Sequence, residues 1–176
     1  MRFTETALAG VVTVSLDADE DERGFFARTF CDDEFLRAGI ALQPRQINLS
    51  HNIEALTLRG MHYQAQPHGE SKLVQCVRGR IFDVVVDLRR DSPTCRRWFG
   101  LELAPDLRRM VFIPEGCAHG FLTLEQDSDV FYLMGSAHVP KAGRGVRWND
   151  PAFGITWPAP PRVISARDDA YPDFEP

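Results

Sequence analysis

Apolar residues recur at every second position in short runs along most of the chain, and this alternation is what most limits its fold. In Ile81-Phe82-Asp83-Val84-Val85-Val86-Asp87-Leu88, the residues Phe82, Val84, Val86 and Leu88 share one face, while Asp83 and Asp87 share the other. Successive side chains of a strand point to opposite sides, so a strand has this period and a helix does not. The tight-turn residues Arg78-Gly79-Arg80 lead into it. Comparable runs cover 11–16, 24–30, 45–49, 55–59, 72–77, 98–103, 110–113, 120–124 and 130–134, separated by turn signals such as Arg-Asp-Ser-Pro and Pro-Glu-Gly. Ten strands at this spacing predict an all-β sandwich or barrel, with a ten-stranded jelly roll as the expected architecture.

Only the stretch from Asp32 to Gly39 reads as a helix, with acids in its first turn and a glycine at its exit. The last thirty residues carry six prolines and little alternation, which predicts an ordered loop region wrapped over the sheets. The 13 glycines and 12 prolines are evenly spread, so no linker divides residues 1–176, which are expected to form a single domain. That length supports a core without a disulfide or metal staple.

Charge narrows the function. The 20 Lys and Arg against 25 Asp and Glu give −5, with no basic run, which argues against nucleic acid as a partner. No apolar run approaches the ~20 residues that span a bilayer, and Met-Arg-Phe-Thr-Glu-Thr lacks a leader's basic-then-apolar order, so a cytoplasmic protein without a membrane partner is expected. Cys31, Cys76, Cys95 and Cys117 include no C-x-x-C pair and are expected to be reduced.

Two segments could carry chemistry. Leu58-Arg59-Gly60-Met61-His62-Tyr63-Gln64 sets Arg, His and Gln at a strand end beside a bend-permitting glycine. Lys72 opens the next strand and Tyr132 stands in another, so a base, a cation and a phenol could converge inside one barrel. Pro114-Glu115-Gly116-Cys117-Ala118-His119 fits P-x-G-x-x-H, the second half-motif of the cupin barrels. Metal-dependent cupins pair it with H-x-H and a Glu, but here the first half reads His62-Tyr63-Gln64, lacking the second His. His68 and Glu70, in a stretch that reads as a loop, are the only substitutes nearby. No metal is expected, and the absence of a Gly-rich dinucleotide or phosphate loop predicts no redox cofactor.

Taken together, Arg23-Gly24-Phe25-Phe26, Gln46-x-Asn48, Leu58 to Gln64, Lys72-Leu73-Val74, Asp83 to Arg89, Asp91-Ser92-Pro93-Thr94, Ile113 to Phe121, Trp148-Asn149-Asp150-Pro151 and Ser165-Ala166-Arg167-Asp168 resemble the dTDP-4-dehydrorhamnose 3,5-epimerases, in order along nearly the whole chain. The resemblance implies a cupin-type jelly-roll homodimer with exchanged N-terminal strands, acting without a metal on a nucleotide-diphospho-4-keto-6-deoxy sugar. Carbons 3 and 5 flank the ketone, so loss of either proton gives an enolate, and reprotonation on the opposite face inverts the centre. It implies His62 as base, Asp168 as the holder of its tautomer, Tyr132 as acid and Lys72 as the cation beside the enolate oxygen. Arg23, Arg59 and Arg167 match diphosphate positions, for which guanidinium forks are well shaped. Phe26, Gln46, Asn48 and His119 match substrate-contacting positions, with Asp83 as a candidate partner behind them.

Three departures cluster around the nucleotide. Arg28 stands where relatives commonly have a Glu, His138 where they often have a Tyr that stacks on thymine, and Gly143 at an acidic family position. These changes predict a nucleotide or sugar other than that of dTDP-4-keto-6-deoxyglucose, with inversion at one carbon alone still open. Two alternatives remain from the residues themselves: a metal-dependent cupin oxygenase or isomerase, and a sugar-nucleotide-binding cupin without catalysis.

Overall fold

The computed structural model describes residues 1–175. Its strands are β1 (Arg2–Glu5), β2 (Val12–Ser15), β3 (Ala18–Asp21), β4 (Gly24–Ala27), β5 (Gln46–Asn52), β6 (Thr57–Gln64), β7 (Lys72–Arg78), β8 (Ile81–Asp87), β9 (Trp98–Leu103), β10 (Arg109–Ile113), β11 (Cys117–Thr123), β12 (Ser128–Met134), β13 (Gly143–Gly145) and β14 (Val163–Ile164). Helix α1 covers Asp32–Arg37 and α2 covers Ala166–Asp169. One sheet runs β1-β2-β10-β7-β12-β5 and the other β13-β6-β11-β8-β9, with β14 added in parallel to β6. A separate β3–β4 hairpin joins neither sheet.

The sheets form a sandwich because alternate residues of each meet in one core. Val74, Val111, Ile113 and Val130 of the first sheet pack with Ile81, Val85, Leu103 and Phe121 of the second. Both outer faces are apolar in part and are covered. Phe35 of α1, with Ile40 and Leu42, caps Val14, Leu73, Met110 and Phe112. The C-terminal segment lays Val146 and Phe153 over Met61, Val84, Val86 and Ala118. Each fully buried aliphatic or aromatic side chain contributes about 1.5–3 kcal/mol of transfer free energy.

The expected jelly-roll sandwich is therefore present, with two corrections. The chain has a second helix, α2, and the strands β1, β3, β13 and β14 besides the ten expected. The C-terminal region is largely loop, as expected, but it also contributes β14 and α2. Both faces of β8 are covered. Phe82, Val84 and Val86 lie under the C-terminal cover, while Asp83 and Asp87, both fully buried, lie on the face shared with Ile81 and Val85. Asp87 accepts from Arg89, Ser92 and Thr94 and so ties down the 88–94 loop. Burial alone would raise its carboxyl, but these bonds outweigh it and hold the pKa at about 2.

Strand β6 does not end near Arg59 but continues to Gln64, and a glycine contact lets it do so. A Cβ on Gly60 would fall 2.4 Å from the Gly120 Cα, and Gly60 has φ +137°, which favours glycine. The β6–β11 register shifts there, between His119 and Phe121, leaving His62 directly opposite His119.

Candidate active site

At one end of the sandwich the two sheets splay around a cavity of about 670 Å³. The first sheet contributes Gln46 and Asn48 from β5, Lys72 from β7 and Tyr132 from β12; the second contributes Arg59 and His62 from β6 and His119 from β11. Arg167 and Asp168 reach it from α2, and His138 from the loop after β12. These are residues that the sequence singles out. Arg23, Phe26 and Arg28 are not brought there by the single chain. Arg23 pairs with Asp21 on the β3–β4 hairpin, Phe26 is 77% exposed, and Arg28 pairs with Glu34 at 2.9 Å. The hairpin carries them outward because it bonds to neither sheet.

His62 and Asp168 are joined at 2.7 Å through Nε2, although 106 positions separate them. Ser165 makes this contact by capping α2: its hydroxyl accepts from the Asp168 backbone N–H at 3.1 Å and sets the turn that carries the carboxylate. Asp168 also accepts from the Gly60 N–H at 3.2 Å. Burial raises its carboxyl, but the hydrogen bond and charge of His62, with the Gly60 and Ser165 bonds, pull it below the usual carboxylate range. A carboxylate facing Nε2 requires the proton there, which leaves Nδ1 as an acceptor.

A second pair lies across the strand. His119 Nε2 meets Asp83 at 2.8 Å, and both side chains are buried. The other Asp83 oxygen has no hydrogen-bond partner among the described residues. Tyr132 sits with its ring 6.1 Å from that of His119. Burial pushes the Tyr132 phenol far above its ordinary value, and the Asp83 charge pushes it further against the opposing pull of Arg59. Lys72 is buried and ion-paired to Glu70 at 3.1 Å. No group of three or more His, Cys, Asp or Glu side chains placed to hold a metal occurs among the described residues.

Sequence reasoning missed Arg144 and Tyr171, and it named Gln64 and Ser165 without assigning either a role. Arg144 lines the mouth from β13, a Gly-Arg-Gly strand with no apolar period to betray it. The Tyr171 ring packs edge-on to His62 at 6.3 Å and accepts from Arg167 Nε at 3.0 Å. Gly145 makes room for it, since a Cβ there would fall 2.2 Å from that ring. The arrangement offers a tautomer-fixed imidazole and a protonated phenol from facing sheets, a lysine beside them, and guanidinium groups at the rim for an anion.

Comparison with known proteins agrees. The sequence model of the dTDP-4-dehydrorhamnose 3,5-epimerases matches residues 5–176. The dTDP-4-dehydrorhamnose 3,5-epimerase of Methanothermobacter thermautotrophicus is 42% identical over 158 residues, covering 89% of this chain and 84% of its own. The crystal structure of the Bacillus anthracis dTDP-4-dehydrorhamnose 3,5-epimerase with TDP and PPi bound superposes with a TM-score of 0.95 at 35% identity, over 98% of this chain and 99% of its own. ChmJ, a 3'-monoepimerase of Streptomyces bikiniensis solved with dTDP-quinovose, gives 0.89 at 32% identity over 96% and 85%. The chain belongs to the dTDP-4-dehydrorhamnose 3,5-epimerase family.

Proposed function

We propose that the protein is an epimerase of a nucleoside-diphosphate-linked 4-keto-6-deoxyhexose, working through an enolate. The observation that carries this reading is the placement of His62 and Tyr132 on facing sheets of one cavity, with Lys72 beside them. His62 Nδ1 takes the proton from the carbon next to the ketone, and the C–H electron pair moves through the new C=C onto the ketone oxygen. Lys72 meets that developing charge. Tyr132, kept protonated by burial, returns a proton to the opposite face as the enolate collapses, so the centre inverts. Asp168 holds the ring and balances the imidazolium that forms. Arg59 and Arg167 bind the diphosphate, with Gln46, Asn48, His119 and His138 along the sugar and base.

The working unit is a homodimer with exchanged N-terminal strands, and residues 1–176 form one catalytic domain in the cytoplasm. Exposed apolar side chains support the dimer. Phe25 and Phe26 on the free hairpin and Ile47 and Leu49 on edge strand β5 are each more than half exposed. A partner's hairpin would bring its Arg23, Phe26 and Arg28 to the β5 side of the cavity and bury this surface.

The test is incubation with each of several nucleoside-diphosphate 4-keto-6-deoxy sugars, the dTDP, UDP, CDP and GDP forms, in D2O, followed by NMR. Deuterium entering carbon 3 or carbon 5 at an unchanged rate after dialysis against EDTA is expected. No exchange at either carbon, or exchange restored only by added metal, overturns the reading.

A further inference from the structure

Glu70 is a buried acid that the reaction just described does not use. It stands in the loop between β6 and β7, lines the cavity and is 9% exposed. One carboxylate oxygen lies 3.1 Å from the Lys72 ammonium. The other accepts from Gln64 Nε2 at 3.3 Å. Gln64 is itself buried and oriented: its Oε1 accepts from the Val139 N–H at 2.7 Å, while Nε2 also faces the carbonyls of His68 and Ala137 at 3.2 Å. The loop is fastened further by the Gly135 N–H, which donates to the Ser71 carbonyl at 2.8 Å. Glu70 is therefore gripped on one side by a fixed carboxamide and faces the lysine on the other.

We infer that Glu70 is a positioning residue for Lys72, aiming its ammonium at the ketone oxygen before substrate arrives. This rests on the reading of Lys72 as the cation of the enolate. Lysine is a point charge on a flexible four-carbon stem, and an unheld ammonium would have to be ordered during the reaction. A donor fixed beforehand meets developing charge without reorganisation. Of its three N–H groups, one directed at Glu70 leaves two for the substrate. Stability alone does not call for this pair, since well-packed apolar residues commonly replace a buried ion pair at no loss. The carboxylate also weakens the positive field at the site, a cost that makes sense only if geometry matters more than raw charge. Gln64 extends the arrangement outward, because it joins the Glu70 loop to the segment carrying His138.

The experiment is a double-mutant cycle on the full chain, reading turnover and deuterium uptake, with thermal unfolding measured alongside. Glu70→Ala should lower kcat about 10- to 100-fold, the scale of a slight misplacement, with KM changed less than about 3-fold. Glu70→Gln keeps the shape and an acceptor for Lys72, so it should recover most of that rate. In a Lys72→Ala background, whose own loss of about 10²- to 10³-fold is still readable by deuterium uptake, Glu70→Ala should cost less than about 2-fold more. Equal losses in the two backgrounds, or a rise in KM at unchanged kcat, overturn the inference. Should Glu70→Ala not fold, the same cycle with Glu70→Gln decides, since its smaller loss must also vanish without Lys72. Full activity in Lys72→Ala would instead strike down the assignment of Lys72 itself, a separate result.

Discussion

Two His–Asp pairs, each with its imidazole in the cavity lining, look alike and differ in access. His62 and His119 face each other across β6 and β11, and each presents Nε2 to a carboxylate at 2.7 or 2.8 Å. Yet the His62 side chain is 42% exposed and that of His119 only 5%. Asp168 is fully engaged, by His62, the Gly60 N–H and the α2 turn, whereas Asp83 has one oxygen bonded and the other without a partner among the described residues. The difference teaches that the hydrogen bond fixes the tautomer in both places, while burial decides what the ring can do. An open ring with a satisfied carboxylate behind it can take up and release a proton. The His119 ring, packed between Phe121 and Tyr132, shows only a small edge to the cavity, enough for a contact but poorly placed to exchange a proton.

The sharpest way to break this contrast is to remove each ring in turn. His62→Ala should lower turnover by about 10²- to 10⁴-fold, the usual contribution of a proton-transfer group, and leave thermal unfolding little changed. His119→Ala should show the reverse emphasis, losing about 1–3 kcal/mol of stability because it takes from the buried Asp83 side chain the hydrogen bond that His119 gives it. Steady-state rates and denaturant unfolding of the two variants check this directly. Equal losses of stability would mean that access does not separate the pairs.

Next in size is the carboxylate behind the base. Asp168→Asn presents an amide to Nε2, favours the other tautomer and should lower kcat about 10- to 10³-fold, whereas Asp83→Asn should cost roughly 10-fold. Acid unfolding gives a second reading of the same change. The folded Asp168 pKa lies below its reference of 3.8, so its contribution to stability is fully present above about pH 4 and is lost as the pH falls through the lower folded value. The stability gap between wild type and Asp168→Asn should therefore close on acidification below about pH 4 and stay constant above it. A gap independent of pH would remove the ionised carboxylate from the account.

How much of this the sequence disclosed depends on length and period. Strand β9 falls at the residues its alternation marks, and β7, β8 and β12 within two, because a half-apolar strand repeats itself often enough to be read. The short pieces β13, β14 and α2 repeat nothing, and two of them hold Arg144, Arg167 and Asp168 at the cavity. In β8 alternation sorts Asp83 and Asp87 onto one face but does not say whether that face is covered; the strand lies between β9 and β11 with both faces covered, so its acids are interior groups. His62, Lys72 and Tyr132 were legible as residue types, but their meeting depends on pairing between distant strands. Glu70 was visible only as a stand-in metal ligand, since nothing in its spacing announces a partner two residues on. Arg23, Phe26 and Arg28 were legible as residue types, but their hairpin, held to its own chain through Arg108, joins neither sheet and leaves them outside the cavity.

The smallest expected effect lies at the other end of the cavity, where the contrast is between a reacting end that keeps the family's residues and a base end that does not. His138 lines the cavity, and its backbone N–H donates to the Gln46 carboxamide, which fixes the segment that carries the imidazole. The ring keeps a flat surface and gives up part of a phenol's area. Gly143, in the same wall, carries no charge. Arg28 stays outside the cavity, held by Glu34 at 2.9 Å. Losing one stacking area and a few hydrogen bonds is worth roughly 1–3 kcal/mol, about 5- to 150-fold in affinity. Thymidine diphosphate should accordingly bind no more than about 100-fold tighter than UDP, CDP or GDP in calorimetry. His138→Tyr should widen that preference, because a phenol restores the stacking area. A strong preference for TDP already present in the wild type and unmoved by His138→Tyr would place thymine reading elsewhere.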